Sequence, residues 1–289
     1  MEHINKNAAM TVDVEDYFQV AAFDDVIPLE KWESYELRAA DITLRMAEKF
    51  QQRGIKATFF ILGWVAEKAP DMVPKLVDMG HEIASHGYWH QKADRQDPST
   101  FFQDISAAKQ LLEKQSGKAV LGYRAPSFSM GSHTPSHFDA LAKAGYLYSS
   151  STYPIKHDHY GDPSLPTSPY LMNTNCGELW EFPQSTISMK GKRLPVGGGG
   201  YFRLLPWWLY EKAIYRYFDN NRAPYVFYFH PWECDPQQPR IKNASAKSRF
   251  RHYVNLNKME SKIDKLISRD DINWNTMASY FNAYQAGDV

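Results

Sequence analysis

The feature that most constrains the fold is an alternation of strand-like and helix-like segments along the first 150 residues. Short apolar or β-branched segments at 9–15, 55–62, 81–85, 119–124 and 146–150 predict strands. Amphipathic segments at 36–53, 71–79, 99–117 and 134–144 predict the helices between them. A strand–helix repeat of this spacing indicates parallel strands joined by crossover helices. At 289 residues, it favours an α/β fold of the (β/α) barrel type over an open sheet.

The alternation stops between about residues 152 and 206, where Pro, Gly, Ser and Thr are frequent. We interpret this stretch as a loop-rich insertion or extension. The pattern resumes with a helix near 206–221, a strand at 223–229 and a helix near 258–268. Because the sequence has neither an internal repeat nor a clear linker, it predicts a single domain over residues 1–289.

Composition excludes several classes of protein. Hydrophobic residues make up 43% of the chain and charged residues 23%, which argues against disorder. Lys+Arg and Asp+Glu both number 33, which argues against a nucleic-acid binder that relies on bulk positive charge. The longest apolar run, 57–66, is too short for a membrane span of ~20 residues. The first residues lack an apolar leader, so we expect a soluble, cytoplasmic protein without a transmembrane segment.

Polar side chains fall at the ends of four predicted strands. Three acids, Asp13, Glu15 and Asp16, end the first strand, and His86 and His90 follow the strand at 81–85. Arg124 ends the strand at 119–124, and His230 ends the strand at 223–229. In parallel α/β barrels the carboxyl ends of the strands hold the active site. We therefore expect these residues to converge.

The histidines and acids form a candidate metal site. His86 and His90 are four residues apart, and two histidines with one carboxylate commonly bind a catalytic divalent metal. In a regular strand Asp13 and Glu15 point to the same face, so one would bind the metal while the other acts as base. Asp16 remains an alternative metal ligand.

Further residues have candidate roles around this centre. Arg124 is suited to orient the base carboxylate through a bidentate contact, and His230 to act as a general acid. Trp89 and Trp232 are candidates to stack on sugar rings. Tyr201, directly after the glycine run at 197–200, is a further candidate substrate contact.

Four ordered motifs resemble those of a known family. TVDVEDYF (11–18), SHGYWH (85–90), RAPSF (124–128) and FHPWE (229–233) resemble motifs of the polysaccharide deacetylases, the NodB-homology group or carbohydrate esterase family 4. The segment EFPQSTISMKGKRLPVGGGGYFRLLPWW (181–208) resembles the C-terminal extension of deacetylases from exopolysaccharide, exosortase-associated gene clusters.

The resemblance implies a distorted (β/α) barrel of about seven strands, one divalent metal (zinc, with cobalt or nickel as alternatives) and N-deacetylation of N-acetyl sugars. It matches Asp13 to the base, His86 and His90 to the metal histidines, Arg124 to the arginine that orients the base, and His230 to the general acid. Two positions depart from the family pattern. The order Asp-Val-Glu-Asp leaves Glu15 and Asp16 as alternative ligands, and Ser149 replaces a frequent Asp.

These observations predict a metal-dependent sugar N-deacetylase. The backbone N–H of Ser127 would help to stabilise the oxyanion. The expected substrate is an N-acetylated bacterial glycan, and a cytoplasmic location would suit a lipid-linked precursor at the inner membrane surface. The sequence does not predict an oligomeric state. Two alternatives remain open: an amide or imide hydrolase on the same scaffold, and a non-catalytic glycan-binding protein of exopolysaccharide assembly.

Overall fold

The computed structural model describes residues 6–157 and 160–288. Its strands, numbered in chain order, are β1 (Asn7–Val14), β2 (Thr58–Ile61), β3 (Glu82–Ser85), β4 (Gly122–Tyr123), β5 (Tyr148–Ser149), β6 (Tyr170–Thr174), β7 (Gly177–Glu181), β8 (Thr186–Met189), β9 (Lys192–Pro195), β10 (Tyr225–Phe229) and β11 (Asn273–Asn275).

The α-helices are α1 (Ala39–Gln52), α2 (Gly63–Lys68), α3 (Met72–Asp78), α4 (Pro98–Ser116), α5 (Pro135–Lys143), α6 (Gly199–Leu204), α7 (Trp207–Asn220), α8 (Ala246–Tyr253), α9 (Leu256–Ile267) and α10 (Met277–Ala286). Short 3₁₀ helices include Pro126–Phe128, which begins two residues after Arg124, and Pro231–Cys234, which directly follows His230.

One sheet runs through the molecule. Its strand order is β10-β1-β2-β3-β4-β5-β7-β6, and β11 also pairs with β1. The strands from β10 to β7 in this order are parallel, and β6 closes an antiparallel hairpin on β7. The ordered path therefore contains seven parallel strands surrounded by helices, which confirms the predicted α/β fold class.

The central strands are hydrophobic because both of their faces are covered. Residues 58–61 of β2 and 225–229 of β10 are buried throughout, as expected for parallel strands between layers. The two ends of the sheet approach each other after β7, where the backbone N–H of Val226 donates to the Ser185 hydroxyl over 2.8 Å. Close by, the N–H of Tyr228 donates to the Gly197 carbonyl over 2.7 Å.

The stretch from 152 to 206 differs from the sequence interpretation. It was expected to consist mainly of loops, but it contains the hairpin β6–β7, the hairpin β8–β9 and α6. β7 adds a parallel strand to the main sheet beside β5. The short strands are interrupted by Gly and Pro, so the local pattern is too brief to predict pairing that depends on a neighbouring strand.

Candidate metal centre and active site

The carboxyl ends of β1, β3, β4 and β10 meet around a cavity of about 480 Å³, hereafter the active-site cavity. The ends converge because parallel strands place their carboxyl ends on one side of a sheet. Of the polar residues predicted at these ends, five line the cavity, together with Ser127 and Trp232; they are Asp13, Glu15, His86, His90 and His230. Arg124 is fully buried behind the cavity wall, where it holds Asp13.

Glu15, His86 and His90 form the candidate metal centre. One side-chain nitrogen or oxygen from each lies within 4.8 Å of the others, and all three residues are buried. His86 Nδ1 lies 2.8 Å from the Arg124 carbonyl oxygen, to which it donates, and this leaves Nε2 with a free lone pair. His90 Nε2 is in direct contact with a carboxylate oxygen of Glu15.

The donor atoms fit a divalent transition metal. The donor atoms are one carboxylate oxygen of Glu15 and one imidazole nitrogen from each of His86 and His90, and all three side chains are buried. A cation bound between them would compensate the buried charge of Glu15. Two imidazoles and one carboxylate leave coordination positions open, as in catalytic rather than structural zinc sites.

Electrostatics distinguish Glu15 from its surroundings. Burial raises the pKa of Glu15, but the nearby His90 and His230 outweigh it and lower the pKa to about 2. Burial lowers the pKa of His86 to about 4, so this imidazole is neutral at neutral pH, as a metal ligand must be. Glu15 is therefore an anion facing imidazole rings.

Asp16, the alternative ligand, has another task. Its Oδ2 accepts hydrogen bonds from the backbone N–H groups of Arg38 (2.5 Å) and Ala39 (2.7 Å), and its Oδ1 accepts one from Tyr17 (2.8 Å). The bonds from Arg38 and Ala39 satisfy free amides at the start of α1. Burial raises the pKa of Asp16 to about 6, despite these backbone bonds. The structure thus brings Glu15, rather than Asp16, to the histidines.

Asp13 is held by Arg124. Arg124 Nη1 donates to Asp13 Oδ1 over 2.6 Å and to Thr11 Oγ1 over 2.7 Å, while Nε donates to the Ser150 carbonyl over 3.2 Å. The guanidinium also lies over the Phe60 ring, 4.0 Å from its centroid. Because Arg124 has several fixed partners, it fixes the position of the Asp13 carboxylate at the cavity wall.

His230 is positioned by two residues to which the sequence analysis gave no role. His230 Nδ1 donates to Glu233 Oε2 over 3.0 Å, and Arg203 Nε donates to Glu233 Oε1 over 2.6 Å. With Nδ1 occupied, His230 Nε2 faces the centre, 3.7 Å from Glu15 Oε1. Burial lowers the pKa of His230, but Glu15 and Glu233 outweigh it and raise the pKa to about 9. Glu233 stands in the FHPWE motif, whereas Arg203 carries no local signal.

Trp232 lies behind the centre, between two histidines. Its ring stacks on His252 (centroids 4.1 Å apart) and on His230 (5.3 Å), and its Nε1–H donates to Glu15 Oε1 over 3.0 Å. Only 5% of Trp232 is exposed. Its hydrogen bond orients the carboxylate of Glu15, a role that the sugar-stacking prediction did not include.

The other predicted substrate contacts occupy different positions. Ser127 lines the active-site cavity and has a left-handed backbone (φ 56°). Trp89 is exposed and lines a neighbouring groove with Trp32 and His90. Tyr201 lies in α6 and is absent from the described residues that line the active-site cavity.

Ser149 stands next to a buried carboxylate from another strand. The Ser149 hydroxyl donates to Ser151 Oγ over 2.8 Å. Glu181 Oε1, at the end of β7, accepts from the N–H groups of Ser151 (2.9 Å) and Thr152 (2.8 Å). The carboxylate partner of His230 is Glu233, so support for that histidine does not depend on an acid at position 149.

Comparisons with known proteins divide the chain into two matched segments. Residues 20–149 match the family model described as polysaccharide deacetylase, and residues 150–282 match a domain of unknown function, DUF3473. A peptidoglycan-N-acetylglucosamine deacetylase of Bacillus cereus is 31% identical over 30% of this chain and 31% of its own length. A peptidoglycan deacetylase of Helicobacter pylori is 29% identical over 53% of this chain and 47% of its own length. The chain thus spans less than half the length of either relative.

A solved structure shares the fold over nearly the whole chain. The crystal structure of a candidate polysaccharide deacetylase from Mycobacterium smegmatis has a TM-score of 0.63 and 22% identity, covering 99% of this chain and 92% of that one. At this identity the likeness establishes the fold alone. Within the described residues, the helices are all too short or too polar to cross a membrane.

Proposed function

We propose that the chain is a metal-dependent hydrolase that removes N-acetyl groups from sugars of a bacterial polysaccharide or oligosaccharide. The match of residues 20–149 to the family model described as polysaccharide deacetylase supports this proposal. The observation that carries this proposal is the grouping of Glu15, His86 and His90 beside two further proton-transfer groups, Asp13 and His230. Amide hydrolysis needs an activated water, a base and an acid, and the cavity offers residues for each.

We assign the metal to Glu15, His86 and His90, with zinc as the first choice and cobalt or nickel as alternatives. A divalent ion bound there would lower the pKa of a water and polarise the acetamide carbonyl. Asp13, fixed by Arg124, accepts the proton from the attacking water. His230, whose Nδ1 is bound to Glu233, donates a proton from Nε2 to the leaving amine nitrogen. The Ser127 N–H is assigned to the developing oxyanion.

The domain organisation, the substrate and the cellular location are further parts of this proposal. We propose that residues 1–289 act as one domain, because the cavity takes side chains from both matched segments. We further propose that the substrate belongs to an exopolysaccharide, in its lipid-linked form at the inner membrane surface, and that the protein works in the cytoplasm. Trp89 and Tyr201 do not line the active-site cavity, so we do not assign them a contact with the reacting sugar.

The test combines metal content with acetate release. Wild type and His86→Ala are loaded with zinc, dialysed, and analysed for bound metal and for acetate released from N-acetylglucosamine oligosaccharides. We expect about one zinc per chain in wild type, and loss of both zinc and activity in His86→Ala. His133→Ala is the matched control, because His133 is an exposed histidine outside the cavity.

Two results would contradict the proposal. Full zinc content in His86→Ala would remove the metal assignment. Zinc bound by wild type without acetate release, but with hydrolysis of a cyclic ureide, would move the assignment to an imide hydrolase on the same scaffold.

A further inference from the structure

The active-site cavity has a basic wall that the proposed chemistry does not use. α8 and its N-cap contribute Ser245, Lys247, Ser248 and Arg251 to the lining of the cavity. Lys92 and Arg95 line the cavity from the segment after His90. The whole chain has a formal net charge of zero, so a local excess of cations is not a by-product of a basic protein.

α8 is fixed directly to the catalytic residues. The Arg203 guanidinium that binds Glu233 also donates to the carbonyl oxygens of Arg251 (3.0 Å), His252 (2.8 Å) and Val254 (2.9 Å). His252 stacks on Trp232, which in turn donates to Glu15. The backbone of Arg251 is therefore held by the same Arg203 guanidinium that binds Glu233, the partner of His230.

Among the described residues that line the cavity beyond the metal centre, the charges of Lys92, Arg95 and Arg251 exceed those of the two acids, Asp24 and Asp25. Lys247 also lines the cavity but is left out of this balance, because it has a further interaction. Arg95 lies 3.9 Å from Asp24 and is partly neutralised. Of the carboxylates deeper in the cavity, Asp13 is paired with Arg124 and Glu15 faces histidines. Within the described residues, the Arg251 guanidinium has no carboxylate within 4.0 Å, so it adds an uncompensated positive charge to the described part of the rim.

We infer that the substrate carries a phosphate or diphosphate on the glycan, close to the acetylated sugar, and that the α8 face of Ser248 and Arg251 binds it. An Arg guanidinium beside a hydroxyl donor is a typical phosphate-binding arrangement. Ser248 Oγ accepts from the Ser245 hydroxyl over 2.9 Å, so its own proton is available to donate. The inference rests on the proposed function, because it names the substrate class of that site.

The volume of the active-site cavity fits a substrate of this size. About 480 Å³ lies in the ~300–1,000 Å³ range of small-molecule sites, enough for one sugar with a phosphate beside the metal centre. Glycosyl diphosphates occur both as nucleotide sugars and as lipid-linked glycans, and their shared group is the diphosphate at the sugar. The test separates the two by comparing UDP-N-acetylglucosamine with a short-chain isoprenyl diphosphate of the same sugar.

The first experiment measures selectivity. Acetate release is followed from N-acetylglucosamine 1-phosphate and from its neutral methyl glycoside, with zinc-loaded wild type, Arg251→Ala and Arg249→Ala. We expect wild type to prefer the phosphorylated sugar, and Arg251→Ala to lower the ratio of the two kcat/KM values at least tenfold, mainly through KM. Arg249→Ala should keep the wild-type ratio, because Arg249 is exposed on the same helix outside the cavity. Equal kcat/KM for the two sugars in wild type would overturn the inference, and so would a preference for a glucuronate-bearing substrate.

A second experiment works without any substrate. Binding of inorganic phosphate to zinc-loaded protein is measured by calorimetry for the same variants, and phosphate held only by the metal would be insensitive to Arg251→Ala. Binding that depends on Arg251, without acetate release from any sugar, would support the phosphate site while refuting the deacetylase. Acetate release with phosphate binding unaffected by Arg251→Ala would refute the phosphate site and keep the deacetylase.

Discussion

Replacing Arg203 by Met tests whether the buried chain from Arg203 through Glu233 to His230 holds this side of the cavity together. Arg203 is 3% exposed, and it donates to Glu233 and to three backbone carbonyls of the segment 251–254. Removing one partner of a buried ion pair typically costs about 3–5 kcal/mol, because the other charge remains buried.

The magnitude can be refined from the contacts. His230 stays 3.0 Å from Glu233 and retains part of the compensation, which favours the lower end of that range. The carbonyls of Arg251, His252 and Val254 each lose a charged donor, and each loss adds up to ~1 kcal/mol. We therefore expect Arg203→Met to lower the free energy of unfolding by about 4 kcal/mol, a large share of the ~5–15 kcal/mol of a typical domain.

The assay is urea unfolding followed by circular dichroism. The control is Arg216→Met, because Arg216 is exposed and donates one 3.4 Å hydrogen bond to the Ser188 carbonyl. It should change stability by no more than ~0.5 kcal/mol. The double variant Arg203→Met/Glu233→Gln removes both charges while keeping an acceptor for the His230 N–H, and it should be more stable than Arg203→Met alone. A cost below 1 kcal/mol for Arg203→Met, or a double variant no more stable than the single one, would refute the reasoning.

Two further predictions concern acids and pH. Asp16→Ala should cost about 1–2 kcal/mol of unfolding free energy, since it leaves the amides of Arg38 and Ala39 without their acceptor, but zinc content should stay at the wild-type level. Glu15→Ala should lose its bound zinc. Zinc retained by Glu15→Ala and lost by Asp16→Ala would mean that Asp16, and not Glu15, is the metal ligand. Burial lowers the pKa of His81 from 6.5 to about 4, so the folded state resists its protonation. The stability from this residue is complete above pH 6.5 and is lost as the pH falls towards 4, by roughly 3 kcal/mol at 1.36 kcal/mol per pKa unit. Between pH 7 and pH 4, the free energy of unfolding should therefore fall less steeply for His81→Gln than for wild type. Equal slopes would show that protonation of His81 does not contribute to the loss of stability.

Strand ends were the part of the site that the sequence could predict. Asp13 lies in a β-branched strand and His86 follows another, and the parallel arrangement alone brings such positions together. Strand alternation favoured Glu15 over Asp16 as the metal ligand, although the strand itself ends at Val14. The backbone amides of Arg38 and Ala39, over 20 residues away, take Asp16 into the start of α1.

Contacts between residues far apart in the chain could not be predicted from the sequence. Arg203 lies 30 residues from Glu233, and no spacing rule relates a glycine-rich segment to a motif in another element. The sequence pattern did not predict α8, whose cavity-lining face depends on how Arg203 binds its last turn. The hairpins from β6 to β9 were missed for a similar reason, since a short strand is stabilised by the neighbour with which it pairs.

The position of β1 between early and late strands has a consequence for synthesis on the ribosome. β1 pairs with β2 on one side and with β10 on the other, and the Thr11 hydroxyl donates to the carbonyl of Phe227, 216 residues further along. At 5–20 residues per second, translation of that interval takes about 10–40 s. During this time the apolar edge of β1 has no partner strand, so the nascent chain is open to incorrect pairing until its last quarter emerges.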